Sequence, residues 1–202
     1  MRLTLLARTA ALGVSLAAAG GSSLEAQAAP DSIKPRSYSE LRIRLSAARN
    51  VNHEPLHDFW SARTGGSLAL TTPFYLGSVG VAGTLIPFRT RDAARPNFRA
   101  LLLAIDWGFE LPAPGPLRAR AAARVGDFVM LIENPDLWLD SESELFVGGE
   151  LSAHLRLWRE LGATVAGSFA RVQTRPSLDL AFLTLGLEYA ARTPGWMRAI
   201  LE

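Results

Sequence analysis

Residues 97–111 read NFRALLLAIDWGFEL, residues 112–115 PAPG, and residues 116–131 PLRARAAARVGDFVML. In the first arm Leu101, Leu103, Ile105, Trp107, Phe109 and Leu111 share one face, and Ala100, Ala104, Asp106, Gly108 and Glu110 share the other. In the second arm Leu117, Ala119, Ala121, Ala123 and Val125 alternate with Arg118, Arg120, Ala122, Arg124 and Gly126. A period of two is that of a strand, because successive side chains point to opposite faces. Pro112, Pro114 and Gly115 mark a short turn between the arms. The stretch is therefore a long hairpin with one apolar face and one face of carboxylates and guanidiniums. A soluble sheet would turn the charged face to water. A membrane barrel would turn it into the lumen and give the apolar face to lipid.

The same alternation recurs on both sides of the hairpin. Tyr38 to Ala48 sets Leu41, Ile43, Leu45 and Ala47 against Glu40, Arg42, Arg44 and Ser46. A second strand, expected to be short, covers Ser67 to Thr72, and a third covers Ser78 to Pro87. After the hairpin, Glu144 to Trp158 places Leu145, Val147, Gly149, Leu151, Ala153, Leu155 and Leu157 on one face; Glu150, Ser152, His154 and Arg156 stand on the other. Leu161 to Val172 and Leu178 to Ala191 complete the set, the last with Glu188 on the polar face. The count is eight, an even number, as antiparallel closure with both termini at one end requires.

Loop lengths support closure. The connections 50–66, 88–96, 132–143 and 173–177 are mostly long and charged, whereas 73–77, 112–116 and 159–160 are short. Long loops at one end and short turns at the other are the expected pattern of a barrel inserted from the short-turn side. Tyr38, Phe74, Tyr75, Trp107, Phe109, Trp158 and Tyr189 are expected at the short-turn rim, and Phe88 and Phe98 at the opposite rim. Such girdles form where amphipathic rings meet a membrane interface.

Residues 1–28 read as a secretory leader: Arg2 and Arg8, an apolar run at 10–19, and Ala26-Gln27-Ala28 before the cut. Residues 29–37 are a lead-in, 38–191 the barrel and 192–202 a tail. In the tail Thr193-Pro194 suits a helix start, and a short amphipathic helix is expected. The 202-residue chain has no cysteine, which excludes disulfides and thiolate chemistry. Lys34 is its sole lysine, so its positive charge is almost entirely arginine, and the formal net charge is +2. No basic cluster interleaved with aromatics argues for nucleic acid.

Over residues 38–191 the chain resembles the small eight-stranded outer-membrane β-barrels, the class of the OmpA barrel domain and OmpX. The resemblance rests on strand number, alternation, leader and loop asymmetry, not on a family motif. It implies an all-β, antiparallel, up-and-down transmembrane barrel, exported to the outer membrane and monomeric. The implied partners are outer-membrane lipid and lipopolysaccharide, with the barrel-assembly machinery during biogenesis. Such barrels often end on an aromatic residue; here Tyr189 would take that role, with residues 192–202 running on.

The inward charges form the candidate site: Glu40, Arg42, Arg44, Asp106, Glu110, Arg118, Arg120, Arg124, Glu150, His154, Arg156 and Glu188. An eight-stranded barrel is only wide enough for side chains to fill, and unpaired buried charges are costly. Pairing is expected between Glu110 and Arg118, between Arg42 or Arg44 and Glu188, and between Glu150 and Arg124. The sequence assigns no catalytic, cofactor or metal site. Lipid A deacylases of this architecture place His two residues before Ser on the lipid-facing side. Here Ser152 precedes His154 and both point inward, which argues against an enzyme. Pro55 between His53 and His57 argues against a helical zinc pair. The acids Glu133, Asp136, Asp140, Glu142 and Glu144 match no cation-loop spacing. Arg89, Arg91, Arg95 and Arg99 suit lipid phosphates. A role in structure or surface interaction through the outer loops is expected. The alternative is a narrow channel; a soluble lipocalin-like barrel would need the apolar faces turned inward.

Overall fold

The structure is a computed structural model that describes residues 37–92, 95–111, 113, 115–133 and 142–196. The leader at 1–28, lead-in residues 29–36, the acidic stretch 134–141 and the tail residues 197–202 lie outside the described residues. Eight long strands run β1 (Glu40–Asn50), β3 (Gly65–Phe74), β4 (Gly77–Thr90), β5 (Phe98–Leu111), β6 (Leu117–Ile132), β7 (Glu142–Arg156), β8 (Leu161–Val172) and β9 (Leu178–Arg192). Between β1 and β3 a one-turn helix α1 (Leu56–Phe59) leads into a short strand β2 (Trp60–Ala62). Every long strand is antiparallel to its neighbours, and β1 pairs with β9 to close the barrel.

The register fixes the stagger of the wall. Paired positions lead from Arg42 through Thr71, Gly80, Asp106, Arg124, Gly148 and Ala170 to Leu180. Because Phe182 faces Asn50 across the seam, Leu180 is level with residue 52, ten positions beyond the start. Eight strands with that stagger tilt steeply and enclose a lumen of side-chain width.

The expected alternation appears as burial. On β5 Phe98, Ala100, Leu102, Ala104 and Asp106 are buried, while Leu103, Ile105, Trp107 and Phe109 are exposed. On β7 Phe146, Glu150, Ser152 and His154 are buried, and Leu145, Val147, Leu151 and Leu155 are exposed. Together with Leu45, Leu68, Val81, Val165, Leu183, Leu185 and Leu187, these exposed residues form an apolar belt around the wall.

Three expectations need correction. The second strand is not short: β3 has ten residues, enough to span a bilayer core at the usual ~9–11. Its flanking Gly65-Gly66 and Pro73 mimic breakers. Pro73 lies past Thr71, the last β3 residue paired with β1, so its missing N–H removes nothing from that ladder. The first loop is partly structured, since β2 pairs with β4 through Trp60–Thr90, Ser61–Arg89 and Ala62–Phe88. Finally, Phe88 and Phe98 do not join an outer girdle. Both face inward, stacked at 4.7 Å with planes 5° apart. Of the tail, Gly195 and Trp196 are helical.

Candidate functional site

The lumen is divided into two layers. Near the short turns it is charged. Near the long loops it is apolar: Ile86, Phe88, Phe98, Ala100, Leu102, Phe128, Phe146, Val172, Leu180 and Phe182 pack into one buried cluster. Trp60 from β2 lies edge-on to Phe98 at 5.5 Å and donates its indole N–H to the Pro96 carbonyl, 2.9 Å. This apolar layer is invisible in the alternation, because where both faces of a strand are apolar the period of two carries no sign.

The charged layer contains five arginines and five carboxylates. Glu150 on β7 meets Arg44 of β1 at 2.7 Å and Arg124 of β6 at 2.5 Å. Asp106 on β5 pairs with Arg120 and lies 3.9 Å from Arg124. Arg120 also donates its Nε–H to Ser78 Oγ, 2.6 Å. Closer to the short turns Arg42 pairs with Glu40 at 2.5 Å and with Glu110. Arg118 meets Glu188 at 2.6 Å, and His154 Nδ1 lies 2.9 Å from the other Glu188 oxygen.

The Glu150–Arg124 pair is as expected from adjacent strands; the others differ. Glu110 takes Arg42 and not Arg118, while Arg118 reaches Glu188 and Arg44 reaches Glu150. These contacts join strands on opposite sides of the barrel. The bore is no wider than an arginine is long, so a guanidinium meets the far wall as easily as the near one. Arg156 is exposed at the last position of β7 and stands outside the buried network.

His154 Nε2 lies 3.0 Å from Ser152 Oγ. Ser152, His154 and Glu188 therefore line up as hydroxyl, imidazole and carboxylate, an order used by nucleophilic enzymes. All three are buried, and the cavity beside His154 and Glu188 holds only about 30 Å³. That is water-sized, with no space for an ester. A smaller void of about 20 Å³ lies where the two layers meet, against Thr84, Leu102, Arg124 and Phe146.

A polar clasp ties the first loop over the apolar layer. His57 is buried against the Phe88 ring. Its Nδ1 accepts the Glu54 N–H at 3.0 Å, and its Nε2–H donates to Asn50 Oδ1 at 2.8 Å. Asn50 donates to the Ala181 carbonyl, and Asn52 bonds both Ala181 N–H and the Asp179 carbonyl. Burial pushes the His57 imidazole below its ordinary 6.5. In the sequence nothing marks His57 as different from its loop neighbour His53. A non-periodic loop has no face, so burial there could not be read. His53 remains exposed, 3.3 Å from Asp58.

The rim aromatics divide. Tyr38, Phe74 and Tyr75 touch one another at the turn between β3 and β4, with ring centroids 5.6 and 4.5 Å apart. Trp158 is exposed in the turn after β7. Tyr189 donates its hydroxyl to Glu160, 2.8 Å. Phe109 lies against Trp107 with ring centroids 4.8 Å apart and planes tilted by 60°. Trp107 sits four positions inside the end of β5, opposite Val79 and Ala123.

No protein-family model and no curated protein matches the chain. Solved structures do. Neisserial surface protein A superposes with a TM-score of 0.51 at 9% identity, over 76% of this chain and 96% of that one. The N-terminal β-barrel domain of Pseudomonas aeruginosa OprF gives 0.50 at 13% identity, over 77% and 100%. At these identities the likeness is one of fold. Strand number, closure, filled lumen and apolar outer wall agree with it, and the chain has the fold of the small eight-stranded outer-membrane β-barrels.

Proposed function

We propose that this chain is an integral outer-membrane barrel that does not conduct, and that its role is structural or one of surface interaction carried by the long loops. The apolar belt supports the membrane assignment, since a water-soluble protein does not leave so large a contiguous apolar surface exposed. In this reading the short turns face the periplasm and the long loops the exterior, the usual arrangement of outer-membrane barrels.

The observation that carries the non-conducting reading is the filling of the lumen in two successive layers. An ion entering from the short-turn side meets five guanidiniums already neutralised by five carboxylates. Beyond them it meets a dry plug of phenylalanines, where ion solvation is lost. The void of about 20 Å³ where the layers meet and the cavity of about 30 Å³ at the short-turn mouth are separate and water-sized. Ser152 and His154 lie in this packed layer and serve it as hydrogen-bonding members, so the reading assigns them no catalytic step.

The test is conductance of the refolded mature chain in a planar bilayer, after heat-modifiable migration on a gel has established insertion. A silent barrel is expected. Discrete openings that change on neutralising Arg120 or Glu150 would replace this reading with that of a narrow channel. A chain soluble without detergent would remove the membrane assignment.

A further inference from the structure

The outer wall above the apolar belt carries a cluster that the lumen does not use. Trp60 and Ala62 pack on the core, so Ser61 and Arg63 face away from it. Ile86 and Phe88 are buried, which turns Pro87 and Arg89 outward, with Arg91 beyond them; Phe98 and Ala100 do the same for Arg99. The register makes these positions neighbours. Ser61 pairs with Arg89 and Pro87 with Arg99, and Arg63 N–H donates to the Pro87 carbonyl at 2.8 Å. Four exposed arginines thus share one patch on three adjacent strands. Glu133 is the acid within it, accepting from Arg89 Nη1 and Arg99 Nε at 2.9 Å each. Arg63 and Arg91 have no acid partner among the described residues, leaving the patch three charges positive. Arg95 is not part of it: its guanidinium lies 4.0 Å over the Phe59 ring.

Directly below the arginines Leu85, Leu101 and Leu131 face outward and begin the belt. A shallow groove of about 480 Å³ lies between Arg99, Leu131, Ile132 and Glu133. A cationic ledge above an apolar wall matches an amphiphile with anionic groups above its acyl chains. Guanidinium forks suit phosphate geometry. Strands ~4.8 Å apart spread these forks over roughly 10 Å, more than one phosphate fills.

We propose that Arg63, Arg89, Arg91 and Arg99 form a binding site on the lipid-facing wall for a multiply phosphorylated glycolipid of the outer leaflet, of the lipid A class. Glu133 holds Arg89 and Arg99 side by side and limits the positive charge when the site is empty. The proposal rests on the outer-membrane reading.

The test uses the refolded full chain in phosphatidylcholine nanodiscs doped with bisphosphorylated lipid A, dephosphorylated lipid A or phosphatidylglycerol. Retained lipid is counted by native mass spectrometry. Bisphosphorylated lipid A is expected to be retained at least fivefold over the other two. Arg63→Ala with Arg99→Ala is expected to lower that retention at least fivefold. Glu133→Gln, which removes no cation, is expected to raise it. Arg171→Ala, which breaks the forked pair with Asp179 on another wall, is expected to leave it unchanged. Equal retention of the phosphorylated and dephosphorylated lipids, equal retention of phosphatidylglycerol, or no response to either the double variant or Glu133→Gln would each overturn the site. A chain that never enters the nanodisc overturns the membrane reading itself, and is distinct from one that inserts without preference.

Discussion

The two halves of the lumen solve one packing problem with opposite chemistry. The short-turn half fills its bore with arginines and carboxylates, the long-loop half with phenylalanines and aliphatics. Both are buried and closely filled, yet they should respond differently to damage. An apolar cluster loses roughly what is removed from it, plus the cavity left behind. A charged cluster loses more, because each deleted partner strands a charge that still needs one.

Glu150→Ala is the most direct way to expose this difference. It removes the carboxylate that Arg44 and Arg124 share, and a loss of about 4 kcal/mol is expected, read as a lower urea midpoint in bilayer unfolding. Leu180→Ala, at a fully buried position in the apolar half, is expected to cost about 3 kcal/mol. If Glu150→Ala proves milder than Leu180→Ala, water reaches the charged layer and the two halves are not equally dry. Replacing Asp106 and Arg120 together, with Leu and Met, should then sharpen the contrast. Either single change is expected to be strongly destabilising, but the double variant should return to within about 1 kcal/mol of the parent. No such rescue by pairing exists among the phenylalanines.

The smallest effect concerns the cap over the apolar half. His57 is held neutral, with its pKa below 6.5. The unfolded loop therefore binds the proton more readily than the folded one. The clasp contributes fully above about 6.5 and weakens as pH falls below that value. The protection of amides across residues 51–64, taken relative to intrinsic exchange at each pH, should fall between about pH 7 and 5, by less than about 1 kcal/mol of local stability, and His57→Phe should abolish that change. Loop protection that does not change with pH would show that the proton finds another acceptor there.

The wall was legible because β5, β6 and β7 alternate for ten or more residues without interruption. A run such as Leu145 to Leu157 has only one strand reading. The interior was legible only in part. Face assignment follows from parity, which placed Arg44, Asp106, Glu150 and Glu188 in the lumen. Partner choice depends on register and stagger, which parity does not encode, and so Arg42 with Glu110 and Arg118 with Glu188 were missed. The apolar plug was missed for a related reason. At 98–104 the inward residues Phe98, Ala100, Leu102 and Ala104 are as apolar as most of the outward ones. The arginine patch needed Arg63 brought beside Arg89 and Arg99 by β2, a three-residue strand too short to be read from pattern.

The cross-lumen pairs have a consequence for how the ring is made. β1 is the first strand and its eleven residues meet β9, the last, along the whole seam. It also carries Arg42 and Arg44, which neutralise Glu110 on β5 and Glu150 on β7. Until β1 arrives, a sheet curled from the other seven strands holds acids deprived of those two counter-charges. Sealing the seam and discharging the interior are then a single event. The cylinder resembles a combination lock: a seam closed in register satisfies tumblers on the far side, and a ring closed in the wrong register would leave them open.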